Sequence, residues 1–415
     1  MSQRVVVTGT GAVTPLGVGG ATLLDRWCEG TSGIEDGVAA CRDFNPLDFL
    51  SRKEARRADR FTQLAIAAAD EAILEAGWDE ELPYQADRIG CVIGTGIGGI
   101  GSLESQGAVL REKGPKAVSP LAVPLMMGNA GAAALAMKYG LKGESFGVVS
   151  ACAAGANAIG TAVRLVRSGQ VDAVVTGGSE SAMTGIAIAA FASMGATSPT
   201  GISRPFDARR DGFVMGEGAG VLVIESAESA EARGAEVIGE ILGYGATCDA
   251  HHLTAPDPAG EGSARAIGLA LSDAGITAEQ LDYVNAHGTS TPLNDRSETE
   301  ALKRALGSHA AAIPVSSTKS VIGHLMGAAG AVEAVATLKS LRQGVAPPTV
   351  GWEEAEEGLD LDYVVEGVRP LATSGGIPVN GSAENGTGST AGKRLAISNS
   401  FGFGGHNAVL CLAAA

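Results

Sequence analysis

The sequence lacks any paired-cysteine motif: Cys28, Cys41, Cys91, Cys152, Cys248 and Cys411 are scattered, with no CxxC among them. In a chain of 415 residues this reads as free thiols in a reducing compartment, with room for one reactive cysteine. Long apolar runs are missing too. Each is broken by Gly or a charge well before 18 residues, so no membrane span is expected. Val5-Val6-Val7 follows the start without a basic segment, an apolar stretch and a cleavage site, so no signal peptide is expected and the location reads as cytoplasmic. Basic residues are the minority, 30 against 46 acidic, for a net charge of −16. Such a surface repels phosphate backbones, which argues against a nucleic-acid partner.

What is present is a compact apolar chain. Hydrophobic residues make up 45% and charged residues 18%, and 60 glycines cluster after short apolar runs. Val5–Val7, Ile89–Ile93, Ala173–Val175 and Val221–Ile224 read as strands; Arg60–Gly77, Asn157–Ser168 and Ala331–Arg342 carry helical periodicity. Alternation of the two predicts an α/β fold with buried, largely parallel sheets. A weak internal repeat aligns Val7–Leu16 with Val284–Leu293, five of ten positions being identical. This suggests two halves of one topology, placed at 1–246 and 247–415. The stretch Thr373–Gly392, rich in Gly, Ser, Thr and Asn, reads as a mobile surface loop, and its triplets at Asn380 and Asn385 mean little without a secretory signal.

Four segments carry candidate chemistry. In Gly147–Gly160 an apolar strand leads into Ser150-Ala151-Cys152, and small residues then open a helix. A thiol at a helix N-terminus is expected to be acidified by free N–H groups and the macrodipole; the alternative is a buried structural cysteine. Asn285-Ala-His287-Gly-Thr289-Ser-Thr291-Pro292 projects a histidine from a strand end into hydroxyls able to bond a linear substrate, or else holds a satisfied turn histidine. Ser316–Glu333 sets Lys319 and His324 amid Gly and Ala, a poor solvated surface and a plausible pocket, though a core-packed helix start reads equally well. Ser398–Asn407 places Phe401 and Phe403 on glycines, as a mobile gate or a tight turn.

Taken in this order, the four segments closely resemble the β-ketoacyl-acyl carrier protein synthases of the thiolase superfamily, especially the elongating second type, from Val5 to Leu412. The resemblance implies a five-layered α-β-α-β-α fold of two pseudo-symmetric halves, usually a homodimer, and no cofactor beyond the phosphopantetheine arm that carries the substrates. It makes Cys152 the acyl acceptor and puts His287 and His324 beside the malonyl group that loses carbon dioxide. Backbone N–H groups of Cys152 and Phe401 would form the oxyanion hole. Lys319 and Glu298 would form a charge pair, with Asp295 and Glu333 at further acidic positions. Thr289 and Thr291 would bond the pantetheine arm, and Phe401, Phe403 and Ile97 would shape the gate and acyl pocket. Lys53, Arg56, Arg57, Lys116 and Arg204 would dock the acidic carrier protein; five of the ten residues 51–60 are basic. Ala117, at a position often basic in relatives, departs from the pattern, as does the length of the loop Thr373–Gly392.

The resemblance implies fatty acid chain elongation by decarboxylating condensation, with a pathway-specific polyketide synthase as the alternative. A silent chain-length-factor subunit is disfavoured because Cys152 is present, and a thiolase or initiating synthase because two histidines stand at the polar positions. Gly94-x-Gly96-x-x-Gly99 prompts a dinucleotide-binding reading, which lacks its acidic ribose ligand.

Overall fold

The computed structural model describes residues 3–372 and 392–415. Residues 373–391, with Asn380 and Asn385, lie outside the described residues. Ten strands form one path: β1 (Val5–Thr14), β2 (Ile89–Gly94), β3 (Ser145–Val148), β4 (Ala173–Glu180), β5 (Gly218–Ser226), β6 (Gly239–Cys248), β7 (Tyr283–Asn285), β8 (Val315–Ser316), β9 (Leu395–Gly402) and β10 (His406–Ala414). The first five lie in the order β3-β2-β4-β5-β1 and the last five in the order β8-β7-β9-β10-β6. Numbered within each half, both orders are identical. Directions repeat as well: β3, β2 and β4 run parallel and then β5 and β1 antiparallel, and likewise β8, β7 and β9, then β10 and β6. The sheet is thus mixed, with parallel pairing at its two outer ends. The halves meet antiparallel through Val6↔Glu240 and Val7↔Gly239. By strand order the second half opens at Gly239, inside the segment that the sequence reading gave to the first.

The strands read as continuous apolar runs because both faces are covered. Successive residues alternate between two cores: Leu222 and Ile224 join a central cluster, while Val221 and Val223 join an outer one. On β10, Leu410 and Leu412 face the same central cluster, and Val409 and Cys411 a second outer one. Five helices account for these faces: α1 (Arg60–Glu75), α2 (Ala154–Arg167), α3 (Glu261–Ala274), α4 (Pro292–Leu306) and α5 (Ala329–Gln343). α1 covers the outer face of the first half, α3 and α4 that of the second, and α2 and α5 fill the centre. The result is five layers, α-β-α-β-α. The central helix α5 is buried nearly all round, Glu333, Thr337 and Ser340 included. A helix without a wet face is stable only in such a position.

The two central helices begin alike. The turn Ala151–Ala153 precedes α2 and the turn Met326–Ala328 precedes α5. Ala151 and Met326 hold φ of 49° and 48°. Left-handed backbone at a non-glycine residue costs of order 1–3 kcal/mol and persists where the surroundings enforce it.

Candidate active site

Cys152 stands in the strained turn between β3 and α2 and is 9% exposed. Side-chain bonds brace that turn: Asn157 Nδ2 donates to Ser150 Oγ at 2.6 Å, and the Tyr244 hydroxyl donates to Asn157 Oδ1 at 2.5 Å. The thiol opens into a cavity of about 330 Å³ whose walls include His287, His324, Thr289, Thr291, Phe401 and Phe403. Seven of the residues singled out from sequence therefore share one cavity.

His287 follows β7, its backbone fixed from below. Glu298, projecting from α4, accepts the N–H groups of His287 and Gly288 at 2.8 and 2.7 Å and the Asn399 amide at 3.0 Å. Thr291 caps α4 by accepting the Asn294 N–H, and its hydroxyl lies 2.9 Å from that of Thr289. His324 packs edge-on against His287, ring centroids 5.4 Å apart, and against Phe213, also 5.4 Å away. Phe401 lies 5.8 Å from the His287 ring.

Burial pushes both imidazoles well below their usual 6.5, and the nearby Lys319 charge pushes them further. Both rings are neutral at physiological pH. His324 Nδ1 accepts the Met326 N–H at 3.3 Å, which leaves its proton on Nε2 as a donor. His287 Nδ1 has no partner among the described residues.

Three expectations need correction. Lys319 does not pair with Glu298. It makes a buried ion pair with Glu333 from α5, because Glu298 is already satisfied by three N–H groups. The Cys152 thiol is not acidic at rest: burial pushes it up to about 11, outweighing the pull of Lys319 and of the Phe403 N–H. The Phe403 N–H is a backbone donor brought to the sulfur. Phe401 and Gly402 remain adjacent; a Cβ at Gly402 would come within 3.0 Å of the Cys152 nitrogen and crowd it. Ile97 does not line the cavity, being 43% exposed on the loop after β2. Asp295 is likewise set apart, accepting the Phe206 N–H at 2.8 Å beside Arg210.

The dinucleotide reading also falls. The N–H groups of Gly96, Ile97 and Gly98, which would cradle a phosphate, point at the buried carboxylate of Glu180. Glu180, Asn399 and Phe213 were not foreseen. An acidic residue closing the apolar run Ala173–Ser179 was the available signal for the first.

Lys53, Arg56 and Arg57 are exposed on the short helix Arg52–Ala55 and the turn after it, and Lys116 is exposed too. Glu54, the acidic residue among them, is spent on a capping box with Ser51. Arg204 is half-buried and donates to Thr200 Oγ1 at 3.1 Å.

Residues 37–230 match the model of the β-ketoacyl synthase N-terminal domain, and residues 238–353 that of the C-terminal domain. The chain belongs to the β-ketoacyl synthase family. It is 47% identical to the 3-oxoacyl-[acyl-carrier-protein] synthase 2 of Synechocystis sp., over 98% of this chain and 97% of that one. The Staphylococcus aureus protein of the same name is 43% identical, over 99% and 98% of the two chains. Among solved structures, the ishigamide ketosynthase/chain length factor superposes with a TM-score of 0.89 at 33% identity, and a β-ketoacyl synthase from Burkholderia phymatum with 0.87 at 32%, each over the whole of both chains. A type II polyketide ketosynthase solved in complex with its acyl-carrier protein gives 0.86 at 30%, again over both whole chains. These condensing enzymes share the layered fold described above.

Proposed function

We propose that this chain is an elongating β-ketoacyl-acyl carrier protein synthase of fatty acid synthesis, an acyltransferase that forms carbon–carbon bonds. The observation that carries the reading is one cavity holding a thiol and two neutral imidazoles. The relatives at 43–47% identity bear the name 3-oxoacyl-[acyl-carrier-protein] synthase 2, whereas the type II polyketide ketosynthase stands at 30%, which favours chain elongation in fatty acid synthesis.

In the first half-reaction Cys152 Sγ attacks the thioester of an acyl-carrier protein. Its proton passes to the departing pantetheine sulfur, and the acyl chain remains on the enzyme. A thiol at about 11 stays protonated until substrate fills the cavity. Malonyl-carrier protein then binds, with Thr289 and Thr291 placed to bond its arm. Loss of carbon dioxide leaves an enolate, whose oxygen accepts the Nε2–H of His324 and a matching donor from His287. Donors that are neutral and already in place stabilise this charge without reorganising, each worth roughly 3 kcal/mol. The enolate carbon attacks the Cys152 thioester, the carbonyl oxygen being held by the Cys152 and Phe401 N–H groups. Collapse breaks the carbon–sulfur bond and releases 3-oxoacyl-carrier protein. The acyl groups arrive on phosphopantetheine, and the protein needs no cofactor of its own.

Lys53, Arg56, Arg57, Lys116 and Arg204 are assigned to carrier-protein docking. None of the five makes an ion pair with a described residue, and a local positive field suffices to steer an acidic partner in a chain of net −16. A homodimer accounts for the apolar surface that includes Ile97, Leu103, Val123, Met127, Val149 and Ile186, beside the edge strand β3. Exposed edges and apolar patches of this kind call for a cover, and a second copy would bring Ile97 into an interface. Among the described residues no helix is long and apolar enough to cross a membrane, and the reaction is assigned to the cytoplasm.

Intact-protein mass spectrometry with acyl-carrier proteins of graded length tests the reading. An acyl adduct on the wild type, absent from Cys152→Ala, is expected. Cys152→Gln is expected to release carbon dioxide from malonyl-carrier protein without forming product. Absence of the wild-type adduct would overturn the assignment.

A further inference from the structure

Glu180 closes β4 and is fully buried, yet its partners are dipoles and no cation pairs with it among the described residues. Thr95 Oγ1 donates to it at 3.0 Å, the Ile97 and Gly98 N–H groups at 3.2 and 3.4 Å, and the Gly96 N–H as well. Across the seam between the halves, the Gly327 N–H donates to the same carboxylate at 3.3 Å. Gly327 sits in the strained turn before α5, and its neighbour Met326 supplies the N–H that fixes the tautomer of His324. One side chain thus grips the loop of the first half that bears Ile97 and the turn of the second half that anchors His324. The grip is tight: a Cβ at Gly327 would come within 2.1 Å of the Gly96 nitrogen and 2.8 Å of the Glu180 carboxylate.

We propose that Glu180 is a positioning residue for the condensation, clamping the Thr95–Gly98 loop to the Gly327 turn so that the His324 ring is held for decarboxylation. The inference rests on the reading of His324 given under the proposed function. Its charge reaches the nucleophile as well, since Glu180 raises the Cys152 thiol while Lys319 lowers it; the imidazoles of His287 and His324, which share the cavity, are neutral. A buried carboxylate without a counter-ion is costly to keep, and burial pushes this one up to about 7. Its place at the junction of both loops gives that cost a purpose.

The test uses the full-length protein with Glu180→Gln and Thr95→Val, the latter lying outside the cavity wall. Carbon dioxide release from malonyl-carrier protein is measured as separate kcat and KM, and Cys152 alkylation by iodoacetamide is followed against pH. Thr95→Val removes one hydrogen bond to a charged group and is expected to lower kcat about tenfold with KM little changed. Glu180→Gln is expected to lower kcat further and to move the alkylation midpoint down, since its negative charge raises the thiol. Should Glu180→Gln not fold, Thr95→Val carries the test alone. Wild-type kcat in Thr95→Val, or an alkylation midpoint unmoved in a folded Glu180→Gln, would overturn the inference. His324→Ala is run alongside. If it keeps full decarboxylation, the reading of His324 fails; if it loses activity while Thr95→Val does not, the clamp alone fails.

Discussion

The loops that follow the second strand of each half, Thr95–Gly98 after β2 and His287–Gly288 after β7, are built on one plan. In both, a buried carboxylate collects backbone N–H groups: Glu180 from the end of β4 in the first half, Glu298 from α4 in the second. Burial lifts both carboxyls to about 7. What differs is the cargo. The second loop turns His287 into the cavity, whereas the first presents Ile97 to the outside. The turns before the central helices diverge in the opposite sense: the first offers Cys152, and its counterpart offers Gly327 at the matching place. Duplication supplied two frames, and the chemistry was shared out between them, nucleophile to one half and donors to the other.

The largest test of that division is Cys152→Ala. Acyl transfer and self-acylation should vanish while circular dichroism and melting stay as in the wild type; a covalent adduct in the variant, seen by mass spectrometry, would mean that the first half is not the sole nucleophile. Next, His287→Ala or His324→Ala should each lower decarboxylation by about 10²–10³-fold, the cost of removing one pre-placed donor. An unequal loss would show which ring carries more of the enolate charge. The paired carboxylates predict a pH effect of comparable size. A carboxyl whose native pKa stands above its unfolded value binds more protons folded than unfolded between the two, so stability falls as pH rises from about 4.5 to about 7. Each shift corresponds to roughly 3 kcal/mol, and Glu298→Gln should flatten its share of that fall in denaturant melts. A still steeper fall would refute the raised carboxyl. Kinetically, the same variant should lower kcat about tenfold, since an amide cannot accept all three N–H groups that now converge on it. The smallest effect separates cavity from surface. Charge reversal at Arg56 and Arg57 should raise the carrier-protein KM about fivefold, with a free pantetheine substrate barely affected; equal losses for both would remove the docking role.

Much of this was legible because it is written in local pattern. Periodicity marked α1, α2 and α5 to within a few residues. The Val7 and Val284 repeat suggested two halves but set β1 against β7, whereas the strand orders match β1 with β6 and β2 with β7. The short strands β7 and β8 carry too few residues for any alternation to register. The seam was displaced because β6 runs through it without a break in composition. Cys152, His287 and His324 stood out by their small-residue settings. Glu180 did not, because its importance comes from loops about 80 and 150 residues away in sequence, and no spacing rule links them. The thiol was misjudged for a related reason: a helix start is visible in sequence, but the depth of burial that overrides it is not.

That burial has a wider consequence. A sulfur that keeps its proton is a poor target for peroxide and for diffusing electrophiles, because attack on both proceeds through the thiolate. Slower oxidation of Cys152 by peroxide at neutral pH than of a free cysteine, followed by mass spectrometry, is the expected outcome. An inhibitor that depends on warhead reactivity alone would meet the same barrier and would need to be recognised by the acyl channel before it could form a bond.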